Sequence, residues 1–405
     1  MNCLFIGPLA NHSVVGRVAA LSAAGANVGM VAAGDHDAPW VNDAYPIVGA
    51  RLLDHWRDPY YGSASRQRRV AAEFGRTLGV VPEDRRIAKS LRNLLTHYRP
   101  NLAVVHYGSI AIHYLRILRR LAPHLPIIDI PNVLPSHLSY AGRPRGRLPW
   151  GLSGIEDLSY SRWLPAVDGI VFASQEMQSY ALGRYRISQI PSCVMPDYLP
   201  MAFQMKLHGP VTTFVESFSG DPHVAFLGAP ERYGRVIDAL DQQFLEMARM
   251  RIHVHSATLS EAVLRTGFGH VYPHCSDEQV FRGELATCLS GLDAAVVTYN
   301  ERSRHERFRS TYPTRFFSSI SCGLPVAVRA GSLDACERFV TEHGIGFVYL
   351  DADDLRRKLE DRDFLASCRA TLRAQLHSMS AESQGEELRR FIARAILWAR
   401  GSRDN

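Results

Sequence analysis

Apolar runs of four to six residues alternate along this 405-residue chain with stretches of ten or more in which apolar positions recur every three or four residues. The short runs fit buried parallel strands and the longer stretches fit the helices that cross between them, so the order reads as repeated βα units. In the first half, strands are expected at Cys3–Ile6, Ala26–Val31, Leu102–His106, Pro126–Ile130, Gly169–Ala173 and Ser192–Met195. Helical patterns fill Gly16–Ala24, Asp84–His97, Ile110–Leu121 and Gly154–Leu164. The stretch Asp35–Arg76 is polar and irregular and reads as an extended loop or short helices.

A break rich in proline and glycine follows at Pro196–Pro222, and then the alternation starts again. Strands are expected at His223–Leu227, Ile252–His255, His270–Tyr272, Ala294–Tyr299, Pro325–Val328 and Gly346–Tyr349. Helices are expected at Arg235–Glu246, Ser276–Leu289, Thr314–Cys322 and Leu333–His343, with a last amphipathic helix over Glu382–Trp398. The economical architecture is α/β, with two facing doubly wound Rossmann-like domains at 1–195 and 223–381 and a hinge at 196–222. The final helix, within 382–405, is expected to pack back on the first domain. Such sheets take ligands beyond the carboxyl ends of their strands, so two of them facing one another would enclose a single interdomain cleft.

Composition narrows the class more than the function. Hydrophobic residues at 46% and charged residues at 21% are ordinary for a globular protein and exclude disordered, collagen-like and coiled-coil readings. The net charge of +6 favours an anionic partner. Lys89, Lys206 and Lys358 are the only lysines among 46 basic residues, a bias that fits a GC-rich genome as readily as a binding surface. Where arginines gather, they make good bidentate partners for phosphate. The seven cysteines form no CxxC pair and mostly lie in apolar runs, which reads as buried thiols in a reducing compartment. No apolar run reaches the length of a membrane span and no leader precedes the first strand, so a cytoplasmic location is expected.

Several segments resemble the two-Rossmann-domain (GT-B fold) nucleotide-sugar glycosyltransferases, in particular the family 4 or group 1 type. In the first half these are FIGPLANHSVVGRVAALSAAGANVGMV and EDLSYSRWLPAVDGIVFASQEMQSYAL, the latter with Glu156 ahead of a strand running from Asp168 to Ser174. In the second half they are HVAFLGAP, VYPHCSDEQVFRGELATCLSGLDAAVVTY and TYPTRFFSSISCGLPVAVRAGSLDACERFVTEHGIGFVY. The resemblance implies transfer of a sugar from a nucleotide-diphosphate donor, UDP among the candidates, to a hydroxyl-bearing acceptor such as a saccharide, a lipid-linked sugar or a small molecule. Two alternatives stay open on the same fold: a non-catalytic binding or partner subunit, and a sugar-nucleotide epimerase.

The residues themselves point the same way. Gly228 follows an apolar strand and permits close backbone approach of a phosphate, or simply a βα turn. Thr314–Cys322 begins a helix after Pro313, so its first amides, with Ser310 and Thr311 just ahead, suit a diphosphate or plain capping. The arginines collect in ERSRHERFRSTYPTR, which follows the strand ending at Tyr299 and carries Arg302, Arg304, Arg307, Arg309 and Arg315. Such a loop would neutralise a leaving diphosphate, or would be a solvated surface. Arg232 is the candidate for a phosphate-binding cation after the second domain's first strand. Arg315 matches the family's basic position, whereas Ser318 stands where the family has a ribose-binding glutamate, and a hydroxyl cannot accept from two ribose hydroxyls as a carboxylate does.

For a base at the acceptor, His12 after the first strand, His106 at the end of another and Asp129 near the end of a third are the candidates, each with a capping or core reading beside it. Asn132 occupies the family's catalytic position more closely than Asp129 but cannot be a base. Asp351-Ala352-Asp353-Asp354 has the letters of a metal motif but reads as a helix cap, so no metal and no cofactor beyond the nucleotide-sugar co-substrate is expected. The basic stretches RIAKSLRNLL and HYLRILRRLAPHL suit either peripheral contact with an anionic membrane or helices packed on the sheet with their arginines in water. No interleaving of aromatic and basic residues marks a nucleic-acid platform.

Overall fold

The computed structural model describes residues 1–8, 12–33, 46, 48–56, 85–106, 108–131, 134, 158, 160–205, 220–227, 240–272, 279–280, 282–298 and 309–401. The chain divides into two compact units, Met1–Pro200 with Ala381–Asn405, and Met201–Ser380.

Unit 1 is built on a seven-stranded sheet in the order β3-β2-β1-β4-β5-β6-β7, all pairs parallel. The strands are β1 (Asn2–Pro8), β2 (Asn27–Ala33), β3 (Ala50–Trp56), β4 (Leu102–His106), β5 (Ile127–Ile130), β6 (Gly169–Phe172) and β7 (Ser192–Val194). The helices are α1 (His12–Ala23), α2 (Arg85–His97), α3 (Gly108–Leu121) and α4 (Gln175–Arg184). Strands β4, β5 and β6 are buried throughout, as expected of near-continuous apolar runs in a sheet covered on both faces.

The strand β3 corrects the loop or short helices expected over Asp35–Arg76. Its sequence ARLLDHW lacks an apolar run because it is an edge strand, half-buried along its length, with the Asp54 carboxylate accepting from the Trp56 indole and the Ser90 hydroxyl. Helices α2 and α3 bury Ile87, Ala88 and Leu91, and Leu115, Ile117 and Leu118, while Arg86, Lys89, Arg92 and Arg120 are exposed.

Two features tie the ends of this unit together. Gly16 lets α1 lie against the Tyr198 backbone, where a Cβ would collide with the carbonyl oxygen. Beside it the buried Arg17 pairs with Asp197 and donates to the Met195 carbonyl at 2.8 Å. The last helix, residues Gly385–Gly401, buries Leu388, Phe391, Ile392 and Ala395, and Phe391 and Ala395 meet the backbone of Gly169 in β6.

Unit 2 carries a six-stranded parallel sheet in the order β10-β9-β8-β11-β12-β13. Its strands are β8 (His223–Phe226), β9 (His253–Ser256), β10 (Gly269–Val271), β11 (Ala294–Val297), β12 (Val326–Arg329) and β13 (Gly346–Tyr349). Its helices are α5 (Leu240–Arg249), α6 (Glu261–Leu264), α7 (Glu284–Leu289), α8 (Thr314–Ser321), α9 (Asp334–His343), α10 (Ala352–Glu360) and α11 (Arg362–Gln375), which makes the helix of Gly385–Gly401 α12. Gly283, at φ 73, sets the start of α7 at Glu284, and the helix expected over Ser276–Leu289 is broken by a turn at 282–283, with 276–278 outside the described residues. Asp351 caps α10 by accepting from Asp354 N–H at 2.9 Å. Among the described residues no helix is long and apolar enough to cross a membrane. Cys3, Cys193, Cys322, Cys336 and Cys368 are buried and outside any disulfide, and Cys288 is half-buried. Burial pushes Cys3 and Cys322 up to about 12. Cys275 lies outside the described residues.

Candidate functional site

In unit 2 the expected donor residues Ser310, Thr311, Arg315 and Ser318 lie in and just before α8. Pro313 occupies the N-cap position, the Phe316 amide donates back to the Pro313 carbonyl at 2.8 Å, and among the described residues the first turn holds neither an acid nor a side-chain cap. Tyr312, Phe316, Phe317 and Phe339 pack as a cluster of rings that meet edge-on, with Tyr312 stacked on Phe316 and centroids 5.1 to 6.0 Å apart, which fixes α8 against α9. On that rigid base Arg315 is only 8% exposed. Its guanidinium lies 5.1 Å from the ring centroid of Phe226, the last residue of β8.

A cation held there stands at the positive end of a helix, where a chain normally places an acid. The macrodipole and the guanidinium share a sign, so both favour an anion. Ser310 and Thr311, immediately before the helix, are buried with it. Ser318, one turn on, is half-exposed and donates its hydroxyl to the Thr314 carbonyl at 3.1 Å. Arg309 is exposed and pairs with Asp334 of α9 at 2.8 Å. Gly228, Arg232, Tyr299 and Arg302, together with Arg304 and Arg307, lie outside the described residues.

In unit 1 the candidate bases are placed separately. His12 is the first residue of α1 and not part of a loop. His106 ends β4 and is 1% exposed. Its Nδ1–H donates to the Ile130 carbonyl at 2.6 Å, which makes Nε2 the basic nitrogen of the neutral ring, and burial pulls its pKa down to about 3. Asp129 is also 1% exposed, and burial raises its pKa to about 8. The Ile130 amide pulls the other way without reaching hydrogen-bonding geometry, and neither carboxylate oxygen has a hydrogen-bond partner among the described residues. The strand register sets His106 level with Ile130 and Asp129 level with Val105, so the two side chains point to opposite faces of the sheet and do not form a dyad. Asn132 and Glu156 lie outside the described residues.

Three features were not among the expectations from sequence. Phe226 under Arg315 belongs to an apolar strand and looks like core. The Arg17–Asp197 pair joins positions 180 residues apart in order, with no local signal. Four histidines, His223, His253, His255 and His270, converge on one face of β8, β9 and β10, and only the alternation His253-Val254-His255 hints at this in the sequence.

No family model and no curated protein matches the chain. Solved structures match it over nearly its whole length. A sucrose-phosphate synthase from Thermosynechococcus elongatus has a TM-score of 0.61 at 12% identity, covering 97% of this chain and 99% of that one. A glycosyltransferase from Rickettsia africae has a TM-score of 0.61 at 10% identity, covering 98% of each chain. The Anabaena protein HepE, in complex with UDP, has a TM-score of 0.61 at 10% identity, covering 97% of this chain and 100% of that one. The chain therefore has the two-Rossmann-domain fold of the GT-B glycosyltransferases.

Proposed function

We propose that the protein is a glycosyltransferase that takes a sugar from a nucleoside-diphosphate donor, with the diphosphate bound at the N-terminus of α8. The observation that carries this reading is the buried Arg315, held over Phe226 in a first helical turn that has no acid and no side-chain cap among the described residues. A buried cation at the positive end of a helix suits a group of charge about −2 to −3, and a donor diphosphate is such a group. The whole-length likeness to transferases, one of them holding UDP, supports the same choice of ligand.

In the reaction the bond from the sugar's anomeric carbon to the diphosphate oxygen breaks and a bond to the acceptor oxygen forms. The acceptor proton passes to a base, and the nucleoside diphosphate leaves with the bonding pair. Charge grows on the leaving oxygen, so a preformed cation and first-turn amides stabilise the transition state more than the ground state. Arg315, with Arg232 and Arg302, supplies in this reading the positive charge that a metal supplies elsewhere. Ser310 and Thr311 add hydroxyl donors. Ser318 takes a single ribose contact in place of two. On the acceptor side His12 is the candidate base, because His106 and Asp129 are each 1% exposed and burial keeps Asp129 protonated up to about pH 8. The acceptor is a hydroxyl-bearing saccharide, lipid-linked sugar or small molecule.

The hydroxyl at Ser318, already turned to the Thr314 carbonyl, favours as second reading a protein that binds the donor without transferring its sugar. A screen of UDP-, GDP- and TDP-sugars by mass spectrometry separates the two. Release of the free nucleoside diphosphate in the presence of protein supports transfer or hydrolysis at this site. Binding with every donor intact supports the second reading, and neither binding nor turnover of any of them contradicts both.

A further inference from the structure

The histidine quartet of unit 2 stands apart from the proposed donor site, which lies at the other end of β8. His223 and His253 are level on β8 and β9, and His255 and His270 are level on β9 and β10, so all four rings share one face of the sheet. Two ring-to-ring hydrogen bonds run diagonally, His223 Nδ1 to His255 Nε2 at 3.0 Å and His253 Nδ1 to His270 Nε2 at 2.8 Å. His223 and His253 stack with centroids 4.1 Å apart, and His255 and His270 with centroids 4.7 Å apart. His223 and His255 are buried, whereas His253 and His270 are half-buried. Among the described residues no group of three His, Cys, Asp or Glu side chains is arranged to hold a metal ion, and one nitrogen of each ring in the quartet is directed at another ring.

Imidazole chemistry gives this arrangement a defined proton capacity. A hydrogen bond between two rings needs a donor nitrogen and an acceptor nitrogen. One proton added to a pair leaves that bond intact as a charge-assisted one, but a second removes the acceptor and sets two cations side by side. Stacking of the two pairs makes even one proton on each repulsive at these separations.

The neighbouring charges decide which pair fills first. Asp221, just before β8, favours protons on His223 and His253, and Arg251, just before β9, opposes one on His253. Asp221 is itself held by Arg251 at 2.8 Å and by Arg356 of α10 at 3.2 Å. The Asp293 carboxylate takes the His223 amide at 2.7 Å and pairs with Arg362 of α11. Glu261 of α6 pairs with Arg265 in solvent, and Glu284 of α7 is exposed. The half-buried His253–His270 pair, the wetter of the two, takes the first proton.

We propose that the quartet is a proton-operated latch on the edge of the unit 2 sheet: neutral, it ties β10 to β9 and β9 to β8, and doubly protonated pairs release the edge. The edge strand β10 has three residues and, among the described residues, pairs only with β9, so its sheet hydrogen bonds run along one side alone. Burial and repulsion between the rings pull His223 and His255 down to about 3 and lower His253, and burial lowers His270. Groups lowered in the folded state are neutral there and protonate when the chain opens. Their support is therefore complete above the ordinary histidine value near 6.5 and is lost as pH falls from there toward about 3.

Hydrogen exchange of the full-length protein, read by mass spectrometry at pH 7.5 and pH 5.0 and corrected for the intrinsic rate, tests the latch. Protection over residues 252–272 should fall at least tenfold more than protection over β11 and β12, and His253→Gln/His270→Gln should remove most of that difference. An equal change in both regions overturns the proposal. Should the variant not fold, NMR titration of the wild-type histidine Cε1–H signals decides. Four rings staying neutral well below pH 6 and titrating cooperatively support the latch, and four independent titrations near 6.5 overturn it.

Discussion

The guanidinium of Arg315 and the ring of Phe226 meet at 5.1 Å, joining the second residue of α8 to the last residue of β8. A desolvated cation–π contact contributes about 2 kcal/mol and, more to the point, fixes where the cation sits. Phe226 also meets Phe244 edge-on at 5.2 Å, so the ring is itself held from beneath. Phe226→Leu keeps the apolar volume and loses the quadrupole. It should weaken nucleotide binding by about 3- to 10-fold, with Phe226→Tyr closer to wild type. Unchanged affinity in calorimetric titrations of Phe226→Leu would mean the ring does not orient the cation.

Asp129 is a carboxyl group that the fold keeps neutral. With its pKa raised to about 8 by burial, the folded chain holds a proton that the unfolded chain gives up near 4. Stability should therefore fall as pH rises from about 4 to 8, at about 1.4 kcal/mol per pH unit. Asp129→Asn should flatten that slope and make the protein more stable than wild type at pH 8 in urea denaturation. A variant less stable at pH 8 would show that the carboxylate has a partner in solution. A loss of activity in a variant that gains stability would mark Asp129 as a group kept for chemistry.

The buried pair Arg17–Asp197 ties α1 to the segment after β7. Removing one partner leaves an uncompensated buried charge, so Asp197→Asn or Arg17→Met should each cost about 3–5 kcal/mol. Replacing both by apolar residues should recover most of the loss. A double variant as unstable as the sum of the singles would mean that the two positions act independently.

Gly16 serves the same junction. Gly16→Ala places a Cβ against the Tyr198 carbonyl oxygen, which is backbone and cannot swing away. A drop in thermal midpoint of several degrees is expected, despite alanine's better helix propensity. A midpoint that holds or rises would mean that α1 can move off that backbone at little cost.

Most of the buried strands were readable because they are largely apolar runs: β4 and β13 match their expected limits at both ends, and the others shift by one or two residues. The strand β3 was not, because a half-exposed edge tolerates Arg51, Asp54 and His55, which erase the run. The place of Arg315 in the first turn of a helix was legible from the proline before it. Phe226 beneath it, Asp197 opposite Arg17 and the meeting of His223 with His255 depend on strand register and chain crossings that bring residues 32 to 180 positions apart together. No local pattern encodes these. Burial likewise had to be seen in three dimensions: a histidine at the end of a strand reads the same whether its ring faces solvent or, as at His106, is 1% exposed.

Calorimetric titration of UDP, GDP and TDP into wild-type protein and Arg315→Ala bears most directly on the proposed diphosphate site at α8. At least one of the three should bind the wild type, and Arg315→Ala should bind that nucleotide about 10- to 100-fold more weakly, the effect of removing a charge-assisted contact to phosphate. Equal binding by the two proteins, or no binding of any of the three to the wild type, would contradict it.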